Sequence, residues 1–161
     1  MKNINRTELF HQSVQSLETI LNWLEKVPSI AMSSLPDKNT ALVIMDMVNG
    51  FASEGALMSP RIRDLLPEIA ALSQRCGERG MAKIAFADSH SENCPEFGAF
   101  PTHCVTGTRE AELLDELAAP GDFTQIPKNS TNAFMERVFL QWLDKNPQIT
   151  AFIVTGCCTD I

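Results

Sequence analysis

No stretch of this 161-residue sequence stays apolar for the roughly 18 residues that a membrane-spanning helix needs. The first dozen residues, MKNINRTELFHQ, also lack the uninterrupted apolar stretch of a secretion signal. Basic residues are scarce. Thirteen Lys and Arg stand against twenty Asp and Glu, for a net charge of −7 and a pI near 4.9. That balance leaves no basic stripe, and it argues against a nucleic-acid partner. There is no CxxC pair to suggest a zinc–thiolate site. The five cysteines, two of them adjacent at Cys157 and Cys158, do not form a disulfide framework, so a reducing cytoplasm is the expected compartment. Internal repeats and low-complexity tracts are absent as well. What remains is 44% hydrophobic and 20% charged, ordinary for a soluble globular protein and long enough for one domain with a real core.

Residues 1–39 read as an appendage. Leu9, Phe10, Val14, Leu17, Leu21 and Leu24 recur at three- and four-residue steps, which predicts one amphipathic helix ended by Pro28. SSLPDKN follows as a linker. Such a helix is expected to pack on the body of the domain or on a second copy of the chain. From residue 41 short apolar runs alternate with helical stretches. ALVIM (41–45) predicts a strand buried on both faces, and residues 60–79 a helix with Ile62, Leu65, Leu66, Ile69 and Leu72 on one side. MAKIAFA (81–87) is the second strand. A long loop runs from Asp88 to Gly107 before a helix capped by Thr108, with Glu110 and Glu112 in its first turn. FTQI (123–126) predicts a third strand closed by Pro127, Thr131–Leu143 a helix, and ITAFIVT (149–155) the last strand. Strand and helix alternating in this way imply a parallel sheet with right-handed crossovers.

In such sheets ligands bind at the carboxyl ends of the strands. Asp46, Asp88, Lys128 and the CCTDI segment all fall there. A carboxylate at the last buried step of a strand is costly unless paired, and Lys128 is the available partner for Asp46. Taken alone this is a structural ion pair. Thiols at the end of the last strand add a second meaning, because a carboxylate beside a thiol activates a cysteine. Asp88 and His90, two apart in extended backbone, point to one side. With Glu96 and His103 they make a mixed nitrogen–oxygen set suited to zinc, manganese or iron, or else the polar residues of a solvated loop. Cys94 and Cys104 flank that loop as incidental thiol ligands at most. His11 belongs to the N-terminal helix as a surface or packing residue. Phe51 and Phe100 suit either a flat ring substrate or hydrophobic packing, and Phe97 suits packing.

IMDMVNGF around Asp46, DSH…PEF…FPTH from Asp88 to His103, IPKN around Lys128 and the final IVTGCCTDI together resemble the cysteine hydrolase superfamily of nicotinamidases and isochorismatase-like proteins. The resemblance spans roughly residues 40–161. It implies a three-layer α/β/α fold with a parallel sheet, an N-terminal helical extension (1–39), and a C-terminal part of the fold lying beyond this chain. It also implies a triad of Asp46, Lys128 and a nucleophilic cysteine expected directly after Ile161. By the same analogy Cys158 contributes its backbone N–H to an oxyanion hole. The Asp88, His90, Glu96, Phe100–Pro101–Thr102–His103 and Gly107–Thr108…Ala111–Glu112–Leu113 pieces look like nicotinamidase rather than isochorismatase, with Glu96 as third ligand where many members have His. The implied activity is hydrolysis of nicotinamide to nicotinate and ammonia through a thioester. It would be assisted by one divalent metal ion, with Phe51 and Phe100 about the ring. The alternatives are another amide or carbamoyl substrate, or a catalytically inactive fragment or relative. The implied partner is a small-molecule amide, and a homo-oligomer is left open.

Overall fold

The computed structural model describes residues 5–118 and 123–157. The chain divides into two compact units, Met1–Leu35 and Pro36–Ile161. In the first, helix α1 (Arg6–Leu24) starts where Asn5 caps it, its side-chain oxygen accepting the Glu8 N–H at 3.3 Å. The helix closes before Pro28, whose ring disfavours helical backbone in the residue ahead of it. A single 3-10 turn, Met32–Ser34, follows.

The second unit is built on four parallel strands: β1 (Thr40–Met45), β2 (Ala82–Asp88), β3 (Thr124–Lys128) and β4 (Ala151–Gly156), in the spatial order β3-β2-β1-β4. Of the predicted run, Ala41 to Ile44 are buried and Met45 is half-buried; Thr40, just ahead of it, is buried as well. Period-2 alternation sorts the side chains of the inner strands. Val43, Ile84, Phe86 and Ile126 form a cluster with Phe139, while Ala85 and Ala87 turn towards Val48, Phe51, Cys104 and Leu113. Each fully buried large side chain, such as Phe86, contributes on the order of 1.5–3 kcal/mol. Short helices α2 (Asn49–Ala52) and α3 (Pro60–Arg63) follow β1, then α4 (Leu66–Glu78) leads into β2. Short α5 (Asp115–Ala118) precedes β3, and α6 (Arg137–Lys145) lies between β3 and β4. Right-handed crossovers put α4 on one face of the sheet and α6, which carries the chain back past β2 and β1, on the other. Gly156 is opposite Met45, where a Cβ would come within 2.1 Å of the Met45 carbonyl oxygen, so only glycine fits. Among the described residues no helix is long and apolar enough to cross a membrane.

Several predicted elements shift, each for a local reason. The helix expected over 60–79 is two helices, because Pro67 has no N–H to continue the ladder from α3. Leu66 and Ile69 are buried as expected, whereas Leu65 is exposed. The helix expected after Thr108 is a 3-10 turn, Arg109–Ala111, and the Thr108 hydroxyl donates to the Val105 carbonyl instead of capping. The chain there is drawn out straight: the Glu112 carbonyl accepts the Asn49 N–H, and Leu113 bridges Val48. The third strand does not stop at Pro127 but runs through it, pairing Lys128 with Asp88. A proline is tolerated there because β3 is an edge strand. The helix expected from Thr131 begins as a 3-10 turn, Ala133–Met135, and becomes α-helical at Arg137. The last strand starts at Ala151, two residues later than predicted.

Candidate active and metal-binding site

Because the strands are parallel and in register, their carboxyl ends reach one level. Asp46 directly follows β1, Asp88 and Lys128 are the last residues of β2 and β3, and Cys157 directly follows β4. Asp46 has left-handed backbone, φ 53°, unusual for a residue with a side chain. Its N–H donates to the Phe86 carbonyl at 3.0 Å. Lys128 Nζ lies 2.9 Å from Asp46 Oδ2 and 3.2 Å from Asp88 Oδ1, so one ammonium bridges two buried carboxylates. Asp46 Oδ1 is buried with no hydrogen-bond partner among the described residues.

These contacts set the charges. Burial pushes the Asp46 carboxyl up and Lys128 pulls it back, while Asp88 raises it by charge repulsion and lowers it through its backbone N–H, leaving it at about 6. For Lys128, burial is the largest single influence and favours the neutral amine. Asp46 and Asp88 together outweigh it and hold the ammonium above its ordinary value. The Cys157 thiol donates to the Asp46 main-chain carbonyl at 3.1 Å, tying β4 to β1. Cys158 lies outside the described residues.

Beside this triangle, Asp88 Oδ2 lies 2.9 Å from His90 Nε2 and 3.4 Å from His103 Nε2. The Glu96 carboxylate is 3.9 Å from each of the same two nitrogens. The other ring nitrogens are occupied: His90 Nδ1 meets Asn129 Oδ1 at 3.0 Å, and His103 Nδ1 meets the Pro101 carbonyl at 2.7 Å. Donation from Nδ1 to those acceptors leaves both Nε2 lone pairs aimed at carboxylate oxygens. Facing lone pairs of this kind would be settled by a cation between them. The second-sphere acceptors are those that orient histidine ligands, and the two-nitrogen, two-carboxylate set fits a divalent ion of the zinc, manganese or iron type. Cys94 Sγ is 3.5 Å from His90 Nδ1 and belongs to a second, overlapping donor group with His90 and Glu96. The Cys104 thiol instead donates to the Glu110 carbonyl, and burial with Asp88 and Glu110 nearby pushes it far above its ordinary value.

A cavity of about 240 Å³ opens between the two groups, with Asp46, Lys128, Glu96 and His103 on its polar side and Phe51 and Phe100 among its apolar walls. Phe51 is buried, with its ring 5.8 Å from that of His103. Phe100 is 52% exposed, at the mouth. Phe97 packs edge-on against both histidine rings at 5.5 Å, the packing role expected of it. A larger cavity of about 520 Å³ beside α6 is lined by residues such as Val43, Phe139, Phe152 and Val154 and by no titratable side chain. The chemistry therefore belongs to the smaller one.

The family profile for the isochorismatase domain matches residues 40–161. The chain belongs to the isochorismatase family. Nicotinamidase 1 of Arabidopsis thaliana is 36% identical over 141 residues, covering 78% of this chain and 57% of that protein. This isochorismatase-family chain thus spans little more than half the length of that relative. Among solved structures, a nicotinamidase from Bacillus subtilis is 31% identical with a TM-score of 0.66, covering 76% of this chain and 73% of that one. A zinc complex of the pyrazinamidase of Pyrococcus horikoshii is 26% identical with a TM-score of 0.67, covering 76% and 72%.

The structure brings together every predicted site residue it describes: Asp46, Phe51, Asp88, His90, Glu96, Phe100, His103 and Lys128. Sequence reasoning missed two supporting residues. Asn129 stood in plain view in IPKN, directly after Lys128. Glu110 was read as a helix-turn acid, and nothing in its spacing pointed to the Cys104 amide that it binds at 3.0 Å.

Proposed function

We propose that residues 40–161 belong to an amidohydrolase that converts nicotinamide to nicotinate and ammonia through a cysteine thioester, with residues 1–39 as an extension outside the hydrolase domain. The observation that carries this reading is Asp46 Oδ1, which has no hydrogen-bond partner among the described residues and belongs to a residue that shares one cavity with a nitrogen–oxygen donor set. A buried base with a free oxygen is suited to a thiol proton, and the nucleophilic cysteine is expected directly after Ile161.

In this mechanism Asp46 takes the thiol proton at Oδ1 while Lys128 holds Oδ2. A carboxyl near 6 is ionised at neutral pH and still basic enough to accept. The thiolate attacks the carboxamide carbon, forming the C–S bond and a tetrahedral oxyanion. Backbone N–H groups after β4, that of Cys158 among them, hold the oxyanion. Asp46 returns its proton to the nitrogen, the C–N bond breaks and ammonia leaves. Water, deprotonated by Asp46, then cleaves the thioester to nicotinate and regenerates the thiol. Asp88, His90, Glu96 and His103 would hold a divalent ion, which supplies a Lewis acid for the pyridine nitrogen. Phe51 and Phe100 confine the ring between apolar walls.

Peptide mapping of the intact protein, followed by nicotinate assays after loading with zinc, manganese or iron, tests the reading. A cysteine after Ile161 and metal-dependent nicotinate formation are expected. Turnover of another amide or a carbamoyl compound, with none of nicotinamide, would transfer the same machinery to that substrate. A different residue after Ile161 would sink the thioester mechanism.

A further inference from the structure

We propose that Glu110 is a positioning residue of the metal-binding centre, acting through Cys104. The proposal rests on the reading of Asp88, His90, Glu96 and His103 as metal ligands.

Cys104 is the joint between the two histidines. It follows His103 directly, and its carbonyl accepts the His90 N–H at 2.9 Å. The next residue, Val105, bridges His90. Cys104 occupies left-handed backbone, φ 45°, and is wholly buried. A residue with a Cβ holds that conformation only when its surroundings impose it. What imposes it here is Glu110. Its carboxylate Oε2 accepts the Cys104 N–H at 3.0 Å, and its main-chain carbonyl accepts the Cys104 thiol at 3.6 Å. One residue thus grips both the backbone and the side chain of the joint.

The neighbouring sequence leaves room for this grip. A Cβ on Gly55 would stand 2.7 Å from Glu110 Cδ, and one on Gly50 would stand 2.6 Å from Cys104 Sγ. Both are contacts that real side chains do not make, so these two glycines keep the space into which Glu110 and Cys104 fit. Glu110 is not among the described residues that line the cavity. Its influence on the ligand atoms runs through the backbone turn that aims His103 and His90 at Asp88. Released from Glu110, Cys104 would relax towards ordinary backbone, and the two Nε2 atoms would no longer converge.

The experiment is a titration of the whole chain with Co²⁺, a visible-absorbing stand-in for a divalent ion in a nitrogen–oxygen site, comparing wild type with Glu110→Ala and Glu110→Gln. Outer-sphere partners of ligands typically change metal affinity by about 10–100-fold, and a loss in that range, with an altered d–d band, is expected for Glu110→Ala. Glu110→Gln keeps a carbonyl acceptor for the Cys104 N–H and should stay close to wild type. If Glu110→Ala lowers the melting temperature but leaves Co²⁺ affinity and spectrum unchanged, Glu110 is merely structural and the proposal falls. Should Glu110→Gln bind as weakly as Glu110→Ala, a charge effect replaces the hydrogen bond, and the proposal again falls. If Glu110→Ala does not fold, Glu110→Asp decides, because its carboxylate is one methylene short: weakened binding supports the proposal and wild-type binding overturns it. Wild type that takes up no Co²⁺ would overturn the metal reading itself, an outcome distinct from all of these.

Discussion

The ends of β1 and β2 carry the same residue, Asp46 and Asp88, and both lean on the one ammonium of Lys128. They differ in what their second oxygen meets. Asp88 Oδ2 faces two histidine nitrogens, whereas Asp46 Oδ1 faces no described partner. They also differ in backbone: Asp88 is still in strand, in register with Lys128, while Asp46 has already turned to φ 53°. A carboxylate surrounded by donors suited to a cation fits the ligand role of the proposed reading. One that is desolvated and half-satisfied has a raised pKa and suits the base of the proposed mechanism. Residue type and distance to lysine do not separate the two roles; the environment of a single oxygen atom does.

The sharpest way to break this comparison is to neutralise each aspartate in turn. Asp46→Asn preserves shape and removes the base. Nicotinate formation should fall by about 10²–10⁴-fold, with metal affinity unchanged in a Co²⁺ titration. Lys128→Met attacks both at once and leaves two buried carboxylates facing each other. Removing one partner from a buried ionic group typically costs about 3–5 kcal/mol, so a loss of that order is expected in urea unfolding at pH 8. The loss should shrink at pH 5, where Asp46, freed of the lysine, is protonated.

Asp88→Asn weakens a ligand, and its effect should appear first in metal binding, by at least about 10-fold. The pH dependence of the unmodified protein sharpens the contrast further. Asp46 titrates near 6 when folded, above its ordinary 3.8, so the native state binds this proton more tightly than the unfolded chain does. Its contribution to stability is full below 3.8 and is lost as pH rises through about 6. Under the proposed mechanism activity should run the other way, rising through the same value as the carboxylate forms. Calorimetry across pH and a kcat/KM profile should therefore slope in opposite directions, and Asp46→Asn should flatten the calorimetric slope. The smallest change expected is from Phe100→Ala. Its ring is 52% exposed, so a severalfold rise in KM with little loss of stability is the expected outcome, on the order of the 1 kcal/mol or so that aromatic pairs contribute.

Much of this was legible in the sequence. The short apolar runs ALVIM and MAKIAFA mark two central strands, and a parallel sheet brings Asp46, Asp88 and Lys128 to its carboxyl end whatever their neighbours. Asp88 and His90 could be paired from a two-residue spacing because extended backbone has period two. The legibility failed where tertiary contacts outvoted local propensity. Glu110 and Glu112 look like the first turn of a helix, yet Asn49 and Val48 pull that segment straight. Pro127 looks like the end of a strand, and only an edge position lets the strand continue to Lys128. The left-handed turns at Asp46 and Cys104 carry no residue signal, since neither is glycine. They exist because surrounding contacts hold them.

Pro127 also bears on how the protein behaves in company. The Lys128 carbonyl accepts the Ser89 N–H at 2.9 Å, so Lys128 turns its peptide groups inward to β2, and Pro127, one step earlier, turns outward. The outward-facing positions of β3 are then Gln125 and Pro127, and the second has no hydrogen to offer. A stray strand drifting alongside would find one donor where two are needed to begin a ladder. The residue that carries the chain to Lys128 also discourages another molecule from extending the sheet at that flank.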